Sequence, residues 1–149
     1  MRYFIFSFFL LVGYRGIAQN QETLVKATVN QLFLAMKNSD SALIVSCFAQ
    51  NAILQTIEER KDAGVVIKNE NVKDFASVIG KLPKADADEQ IVFDMVKVDG
   101  PLAVVWTPYK FYYKGKFSHC GVDSFQLVYE NGFWKIQYLI DTRRKQGCE

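Results

Sequence analysis

The sequence has a single histidine among 149 residues, and this scarcity removes several kinds of active site from consideration. Zinc sites are built from clusters of histidine and cysteine, and His119 has no second histidine and no Cys-x-x-Cys pair to join it. The chain also lacks a Gly-x-Ser-x-Gly sequence, a phosphate-binding glycine loop and a zinc-protease helix motif. We therefore expect no metal and no cofactor.

The chain also has no excess of positive charge once its expected N-terminal signal segment is left out of the count. The chain carries 18 basic and 16 acidic residues, and Arg2 and Arg15 lie in a segment that we expect to be removed. The remainder has 16 of each and is formally neutral. Nucleic-acid binding usually shows as a basic surface, so we expect no nucleic-acid partner. The local cluster Arg143-Arg144-Lys145 is typical of a solvated strand end.

Long apolar runs are rare, and the clearest one predicts export. After Arg2, the ten residues Tyr3–Val12 contain one polar side chain, and Gly16-Ile17-Ala18 follows. This order matches a bacterial signal peptide with cleavage after Ala18. The run is shorter than the about 20 residues that span a bilayer, although an uncleaved membrane anchor is the alternative. We predict a signal peptide over 1–18 and a single domain over 19–149, periplasmic or secreted, without a membrane span after cleavage.

Only three cysteines are present, which allows one disulfide and one free thiol in an oxidising compartment. Cys47 lies in the apolar stretch Ile44–Phe48 and is expected to be buried and reduced. We favour a Cys120–Cys148 disulfide, because five residues after Arg143 can reach back across the strand to Cys120. Three pairings are possible on the sequence alone.

Helical patterns occupy the first part of the chain. Apolar residues at 3-4 spacing predict a helix over 21–37, and a short helix follows at Ser41–Cys47. A first strand is expected over 48–57 and a short one over 65–67. A later amphipathic helix can be capped by Asn71 or Asp74 and ended by Gly80.

From residue 90 onward the pattern is that of strands. After a charged loop at 83–89, β-rich runs are separated by X-Gly dipeptides, which are the strongest short-range hairpin signals. Helices followed by an antiparallel meander indicate the α+β class. The four runs are 90–98, 102–113, 117–130 and 133–143, and the dipeptides are Asp99-Gly100, Lys114-Gly115 and Asn131-Gly132.

This order resembles the nuclear transport factor 2-like superfamily, also called SnoaL-like. The resemblance is carried by the initial helix with its short successor and by the final hairpin Glu130–Ile136. The segments Trp106–Tyr112, His119–Asp123 and Asp141–Arg143 further resemble small exported bacteroidetes proteins of the lumazine-binding or unknown-function type. The resemblance covers 19–149 and implies a cystatin-like cone, in which a bent antiparallel sheet wraps the N-terminal helices around a pocket.

The final hairpin predicts which residues face that pocket. A two-residue turn at Asn131-Gly132 pairs Glu130 with Phe133, and opposed residues share a face. Continued without a break, this register places four polar residues on the aromatic inner face: His119, Asp123, Tyr138 and Thr142. The orientation of the preceding strand is undecided. A two-residue turn at Lys114-Gly115 places Trp106 and Tyr112 on the inner face, and a three-residue turn places Tyr109 and Phe111 there.

Two of these residues are candidates for chemistry. A buried Asp123 is costly unless it is paired, faces a cavity or holds a raised pKa, and a raised pKa suits a general base. His119 lies four residues away on the same strand, about 13 Å distant, so the two cannot form a direct dyad. His119 is then a satisfied polar residue near the mouth of the pocket or a ligand contact.

Three functions remain open, because this fold hosts unrelated activities. The first is a non-catalytic module that binds a small, partly apolar molecule through His119, Asp123 and neighbouring aromatic residues. The second is a cofactor-free isomerase, dehydratase or hydrolase that uses Asp123 with His119 or a tyrosine. The third is a structural homodimer that pairs through the outer sheet face and has a vestigial pocket. The sequence does not decide whether the chain is an enzyme. The aromatic ligand-contact candidates are Trp106, Tyr109, Tyr112 and Tyr138.

Overall fold

The computed structural model describes residues 13–60, 62 and 64–148, with side chains from residue 20 onward. Most of the predicted signal peptide, residues 1–12, lies outside the described residues. The described part contains three helices, and none of them is long and apolar enough to cross a membrane. It also contains seven strands. The elements are α1 (Gly13–Lys37), α2 (Ser41–Cys47), β1 (Phe48–Arg60), β2 (Gly64–Glu70), α3 (Val72–Gly80), β3 (Ala87–Ile91), β4 (Met95–Asp99), β5 (Leu102–Tyr113), β6 (Lys116–Glu130) and β7 (Phe133–Arg143).

The helices begin where polar side chains can cap them. Asp40 accepts a hydrogen bond from the Leu43 amide at the start of α2. Asn71, rather than Asp74, caps α3 by accepting from the amides of Lys73 and Asp74. Helix α1 begins at Gly13 instead of residue 21, since no proline precedes Lys37 to interrupt it.

The strands form one sheet in the order β2-β1-β7-β6-β5-β3, with β4 also paired to β5. All pairs are antiparallel except β1 with β7, which is parallel, so the sheet is mixed. The predicted run 90–98 is divided into β3 and β4, which pair with the two halves of β5. Helices segregated from a largely antiparallel sheet confirm the α+β class.

One face of the sheet, called the inner face here, packs on α1 and forms the core. Phe33 of α1 and Phe125 of β6 meet edge to face, with ring centroids 6.2 Å apart. Full burial of each large apolar side chain stabilises the fold by about 1.5–3 kcal/mol. Other core residues from α1 and the sheet are Val25, Val29, Leu32, Met36, Val105, Leu127, Trp134 and Ile136.

The predicted register of the final hairpin is correct near the turn and wrong beyond it. Glu130 pairs with Phe133, and Asn131 and Gly132 both have positive φ, as the predicted two-residue turn requires. After the Leu127–Ile136 pair, however, the register shifts by one residue at a β-bulge. Because a one-residue shift exchanges the faces of a strand, the inner face of β7 carries Leu139, Asp141 and Arg143. Tyr138 and Thr142 therefore lie on the outer face, contrary to expectation.

A second bulge decides the orientation of β5. Tyr113 pairs with Lys116 across a two-residue turn, yet the register shifts between Phe111 and Tyr112. The extra residue is Ser118, and it turns Tyr109 and Phe111 inward. Trp106 and Tyr112 consequently lie on the outer face, where Trp106 remains 41% exposed. Of the two orientations that the sequence left open for β5, the structure shows the one with Tyr109 and Phe111 inward. A bulge produces this orientation, rather than a longer turn.

The predicted disulfide is confirmed. Cys120 and Cys148 are bonded, with their Cα atoms 5.8 Å apart, and Cys47 is free and buried. The Cys120 backbone exchanges two 2.9 Å hydrogen bonds with Arg144 rather than with Arg143, which follows from the shifted register. The bond ties the C-terminal tail to β6.

Candidate functional site

A cavity of about 480 Å³ lies between α3, the end of β2 and the inner face of the sheet. Its size is within the about 300–1,000 Å³ range of small-molecule sites. His119 is the one residue of the predicted set that lines it. The other lining residues are Met36, Asn69, Glu70, Asn71, Asp74, Phe75, Val78, Ile79, Glu89, Phe111 and Arg143.

The sheet side of the cavity is backed by a buried carboxylate, Asp141, which has three donors. Thr56 Oγ1 donates to Asp141 Oδ1 at 2.6 Å, and Arg143 Nε donates to Oδ2 at 2.9 Å. The Tyr109 hydroxyl lies 3.2 Å from the same Oδ2. Asp141 is 7% exposed, so its charge is compensated by these contacts rather than by water.

Arg143 is the cation of this group and forms part of the cavity wall. Burial opposes its charge, but the adjacent Asp141 outweighs that effect and raises the pKa of Arg143 above its ordinary value. The guanidinium therefore stays charged. In the described part of the chain, its contact with Asp141 uses Nε alone, and neither terminal nitrogen has a hydrogen-bond partner.

Asp123 is buried on the inner face, 3% exposed, between Thr107 on β5 and Asp141 on β7. Its Oδ2 accepts a 3.2 Å hydrogen bond from Thr107 Oγ1. Burial raises the pKa of Asp123 well above its ordinary value, and nearby Glu89 and Asp141 raise it further. Asp123 does not itself line the cavity, whereas Glu89, which adjoins Asp123, does.

Glu89 is the residue that sequence reasoning missed. It lies on the inner side of β3, where its carboxyl reaches both the cavity and Asp123. Burial and then the charge of Asp141 raise the pKa of Glu89 to about 8. The sequence assigned this position to a charged loop, yet it alternates with Ala87 and Ile91, and that period-two pattern could have revealed an inward-facing acid.

Glu89 and Asp123 form an acid pair in which one carboxyl can donate to the other. Two adjacent carboxyls in a largely buried site resist simultaneous ionisation, and both have raised pKa values. At neutral pH the pair therefore holds protons that water-exposed carboxyls would have released. This arrangement can donate hydrogen bonds or exchange a proton at the cavity wall.

His119 lies at the edge of the cavity among aromatic rings. Its ring is 5.0 Å from Phe111 and 5.7 Å from Tyr109, measured between centroids. Its Nδ1 is 3.1 Å from Ser118 Oγ. Burial, followed by the charge of Arg143, lowers the pKa of His119, so the ring is neutral at pH 7. Among the described residues, no hydrogen bond joins His119 to Asp123, as the distance between them along β6 predicts.

Gly121 makes the position of Tyr109 possible. A Cβ at Gly121 would lie 1.7 Å from the Thr142 carbonyl oxygen and 2.7 Å from Tyr109 Cε1. Without that atom, the Tyr109 ring lies over β6 with its hydroxyl 3.0 Å from Thr142 O. Burial, followed by Asp141, raises the pKa of Tyr109, so the hydroxyl remains a hydrogen-bond donor to Asp141 or Thr142.

The remaining predicted contacts lie away from the cavity. Tyr138 donates to Gln55 Oε1 at 2.7 Å, and Thr142 Oγ1 accepts from the Val122 amide. Tyr112 packs against Phe117, with centroids 6.0 Å apart, and Trp106 faces outward. The structure therefore brings together Tyr109, His119 and Asp123 and separates the other four. In the described residues, no group of three or more His, Cys, Asp or Glu side chains could hold a metal ion.

No protein-family model matches the sequence, and no curated protein matches it either. Solved structures do match. A function-unknown protein from Mycobacterium tuberculosis aligns with a TM-score of 0.72 at 13% identity, over 93% of this chain and 80% of that one. A nuclear transport factor 2-like protein of unknown function from Shewanella baltica aligns with a TM-score of 0.63 at 14% identity, over 86% and 96%.

A third similar structure is a Nostoc punctiforme protein of unknown function with a cystatin-like fold. It has a TM-score of 0.64 at 8% identity, over 84% of this chain and 92% of that one. At such identities the likeness concerns the fold, which is the one that the sequence resemblance implied. The chain has the nuclear transport factor 2-like, cystatin-like fold, and its chemistry has to be argued from its own residues.

Proposed function

We propose that this chain, with its nuclear transport factor 2-like fold, is an exported module that binds a small, partly apolar molecule in the cavity beside α3. The supporting observation is the division of the cavity walls. The α3 side is largely apolar, whereas Glu89, His119 and Arg143 gather on the sheet side. Concave sites with apolar walls and a few convergent polar groups are typical of small-molecule binding. The apolar wall consists of Met36, Phe75, Val78, Ile79 and Phe111.

Native mass spectrometry of the protein purified from its own host tests this function. We expect a bound small molecule that is released on denaturation. A Val78→Trp variant fills the cavity from α3, where Val78 is 61% exposed, and should lose the molecule. Val92→Trp is the matched control, because Val92 is similarly exposed outside the cavity and should retain it. Retention by both variants, or a protein without ligand in every preparation, argues against the proposal.

The acid pair favours a second candidate, a cofactor-free enzyme of the isomerase, dehydratase or hydrolase kind. Glu89 reaches the cavity and would exchange the proton, with Asp123 behind it and His119 or Tyr109 nearby. Its raised pKa suits a general acid or base near neutral pH. A Glu89→Gln variant that binds the purified ligand but no longer converts it would support this function. Unchanged ligand recovered from wild-type protein would support the binding module.

Export is supported by the leader pattern and by the disulfide, which an oxidising compartment permits. Under this proposal the mature chain begins at Gln19, within α1. N-terminal sequencing of material from the periplasm or medium checks the position, and an intact Met1 in that material rejects it.

The outer face of the sheet is the proposed surface for a homodimer. It carries exposed apolar residues, among them Ile53, Met95 and Trp106. Light scattering is expected to give a dimer for wild type and a monomer for Trp106→Lys. A wild-type monomer at high concentration rejects this surface, together with the third function, a structural dimer with a vestigial pocket.

A further inference from the structure

We propose that the molecule bound in the cavity is a monocarboxylate, with its carboxylate on the free end of the Arg143 guanidinium and its apolar body against α3. This inference rests on the proposed binding function and adds the chemical class of the ligand. It follows from the hydrogen-bond geometry of Arg143, the charges around it and the shape of the opposite wall.

The first argument is the unused half of the guanidinium. Arg143 Nε is held by Asp141 Oδ2 at 2.9 Å, which fixes the direction of the side chain. Among the described residues, neither terminal nitrogen has a hydrogen-bond partner, and the side chain lines the cavity. A guanidinium presents its two terminal nitrogens as a planar fork that matches the two oxygens of a carboxylate. An ammonium, by contrast, would be repelled there.

The second argument concerns charge. Asp141 already accepts from Thr56, Arg143 and the Tyr109 hydroxyl, so it is not available to a ligand cation. Burial raises the pKa values of Glu89 and Asp123, which weakens the repulsion that these carboxyls exert on an anion, and the lowered pKa of His119 leaves its ring neutral at pH 7.

Two further carboxylates lie at the cavity. Glu70, at the end of β2, is half-buried and its charge acts on Arg143, whereas Asp74 lies in the first turn of α3. Asp74 is exposed to solvent, where its charge is screened by water and salt. On the opposite side, Lys145 adds positive potential near His119. Arg143 therefore supplies the positive charge at the interior end of the cavity, and a ligand carboxylate competes with Glu70 for it.

The third argument is the apolar lining of the cavity beside Arg143. Phe75, Val78 and Ile79 of α3 form an apolar surface with Met36 of α1, and Phe111 adds to it from the sheet. A ligand held by its carboxylate at Arg143 would place an alkyl chain or an aromatic ring on this surface and remove it from water. A small hydrophilic acid would leave the wall unused, and a dicarboxylate would place a charge on it.

A matched ligand series at pH 6.5 tests the class. Calorimetric titration with octanoate, octanamide and octylamine compares an anion, a neutral isostere and a cation on one alkyl chain. We expect octanoate to bind and the other two to bind about tenfold to a hundredfold more weakly, the difference a charge-assisted hydrogen-bond pair provides.

Variants then locate the site. Asp141→Asn/Arg143→Gln removes both charges together and leaves neither partner unpaired; it should abolish the preference for octanoate over octanamide. Arg143→Lys keeps the charge but not the fork, and should weaken octanoate binding several-fold if the double variant does not fold. Arg144→Gln is the control, because Arg144 bonds to Gly147 O outside the cavity and its loss should change nothing.

The outcomes separate this inference from the proposed function. One contrary outcome is that octanamide or octylamine binds as tightly as octanoate and loses that binding in Val78→Trp. This result would overturn the proposed preference for a carboxylate but would still support a small-molecule-binding function. A folded double variant that still prefers octanoate would also overturn it. Binding of none of the three would overturn the carboxylate and count against an apolar binding site as well.

Discussion

Asp123 and Asp141 face each other across β6 and β7, and both are almost completely buried. Asp141 is surrounded by donors from three strands, including the Arg143 guanidinium. Asp123 accepts from Thr107 and otherwise adjoins another carboxyl, Glu89. One aspartate is thus paired with a cation and two hydroxyl donors, whereas burial and a second carboxyl raise the pKa of its opposite neighbour.

This difference predicts unequal effects of the same substitution. Because burial and Glu89 raise the pKa of Asp123, Asp123→Asn removes little charge stabilisation and should change the free energy of unfolding at pH 7 by less than about 1 kcal/mol. Asp141→Asn weakens hydrogen bonds to a charged acceptor and leaves Arg143 without its ion pair, and should cost about 2–3 kcal/mol. Urea denaturation of the two variants measures both values. A larger loss for Asp123→Asn would show that Asp123 is the structural carboxylate.

Stability should depend on pH through Glu89. Its pKa in the folded chain is about 8, above the ordinary value of 4.5, so folding favours the protonated form. The resulting stabilisation is fully present below about pH 4.5 and is lost as pH rises toward 8. Glu89→Gln should flatten this slope between pH 5 and pH 9, as measured by denaturation at each pH.

The matched control for Glu89 is Asp88→Asn. Asp88 is its neighbour on β3 and pairs with Lys37 at 3.0 Å, away from the acid pair. That variant should keep the wild-type slope. If Glu89→Gln keeps the slope as well, Glu89 does not hold a proton in the folded chain at neutral pH.

Gly121→Ala should be among the most damaging single-atom additions in the sheet. The new Cβ would overlap the Thr142 carbonyl and push on the Tyr109 ring, and we expect a loss of about 3 kcal/mol or more. Gly100→Ala is the comparison. A Cβ at Gly100 would meet no atom within 4 Å, but the residue has a φ of +53°. Its replacement by alanine should therefore cost only the strain of a left-handed backbone, about 1–2 kcal/mol. Equal melting temperatures for the two variants would contradict the close approach at Gly121.

Removal of the disulfide should destabilise the chain without changing its fold. Cys120→Ser/Cys148→Ser opens a link across 28 residues, and such links contribute about 2–4 kcal/mol. Thermal denaturation of the double variant gives the value. The same loss should follow when the wild-type protein is reduced, because reduction opens the Cys120–Cys148 bond and leaves Cys47, which is already free and buried, unchanged. A reduced protein as stable as the oxidised one would show that the tail contributes nothing.

The hairpins and the disulfide could be predicted from the sequence because they depend on local signals. Asn131-Gly132 specifies its turn through backbone conformation alone, and Cys47 lies in a visibly apolar helix. The faces of β5 and β7 could not be predicted, because each depends on one bulged residue. Both faces of these strands carry aromatic or aliphatic side chains, such as Tyr138 and Leu139, so hydrophobic alternation does not reveal the shift.

The acid pair escaped prediction for a related reason. Asp123 was recognisable as a carboxyl on an apolar face, but Glu89 comes from a strand distant in sequence that begins inside a charged segment. Their adjacency follows from the pairing of β3 with β5 and of β5 with β6. Only the assembled sheet brings the two carboxyls together.

The parallel pairing of β1 with β7 also governs when the site can assemble. The hydrogen bond from Thr56 to Asp141 closes a loop of 85 residues, whereas the β5–β6 and β6–β7 contacts close through tight turns. Loop closure costs more entropy as the separation grows, and non-local pairing slows folding. We therefore expect the three hairpin-linked strands to form first and β1 to join them late. Under the proposed export, in which the chain crosses a membrane unfolded and N-terminus first, β1 has only β2 to pair with until β7 has emerged.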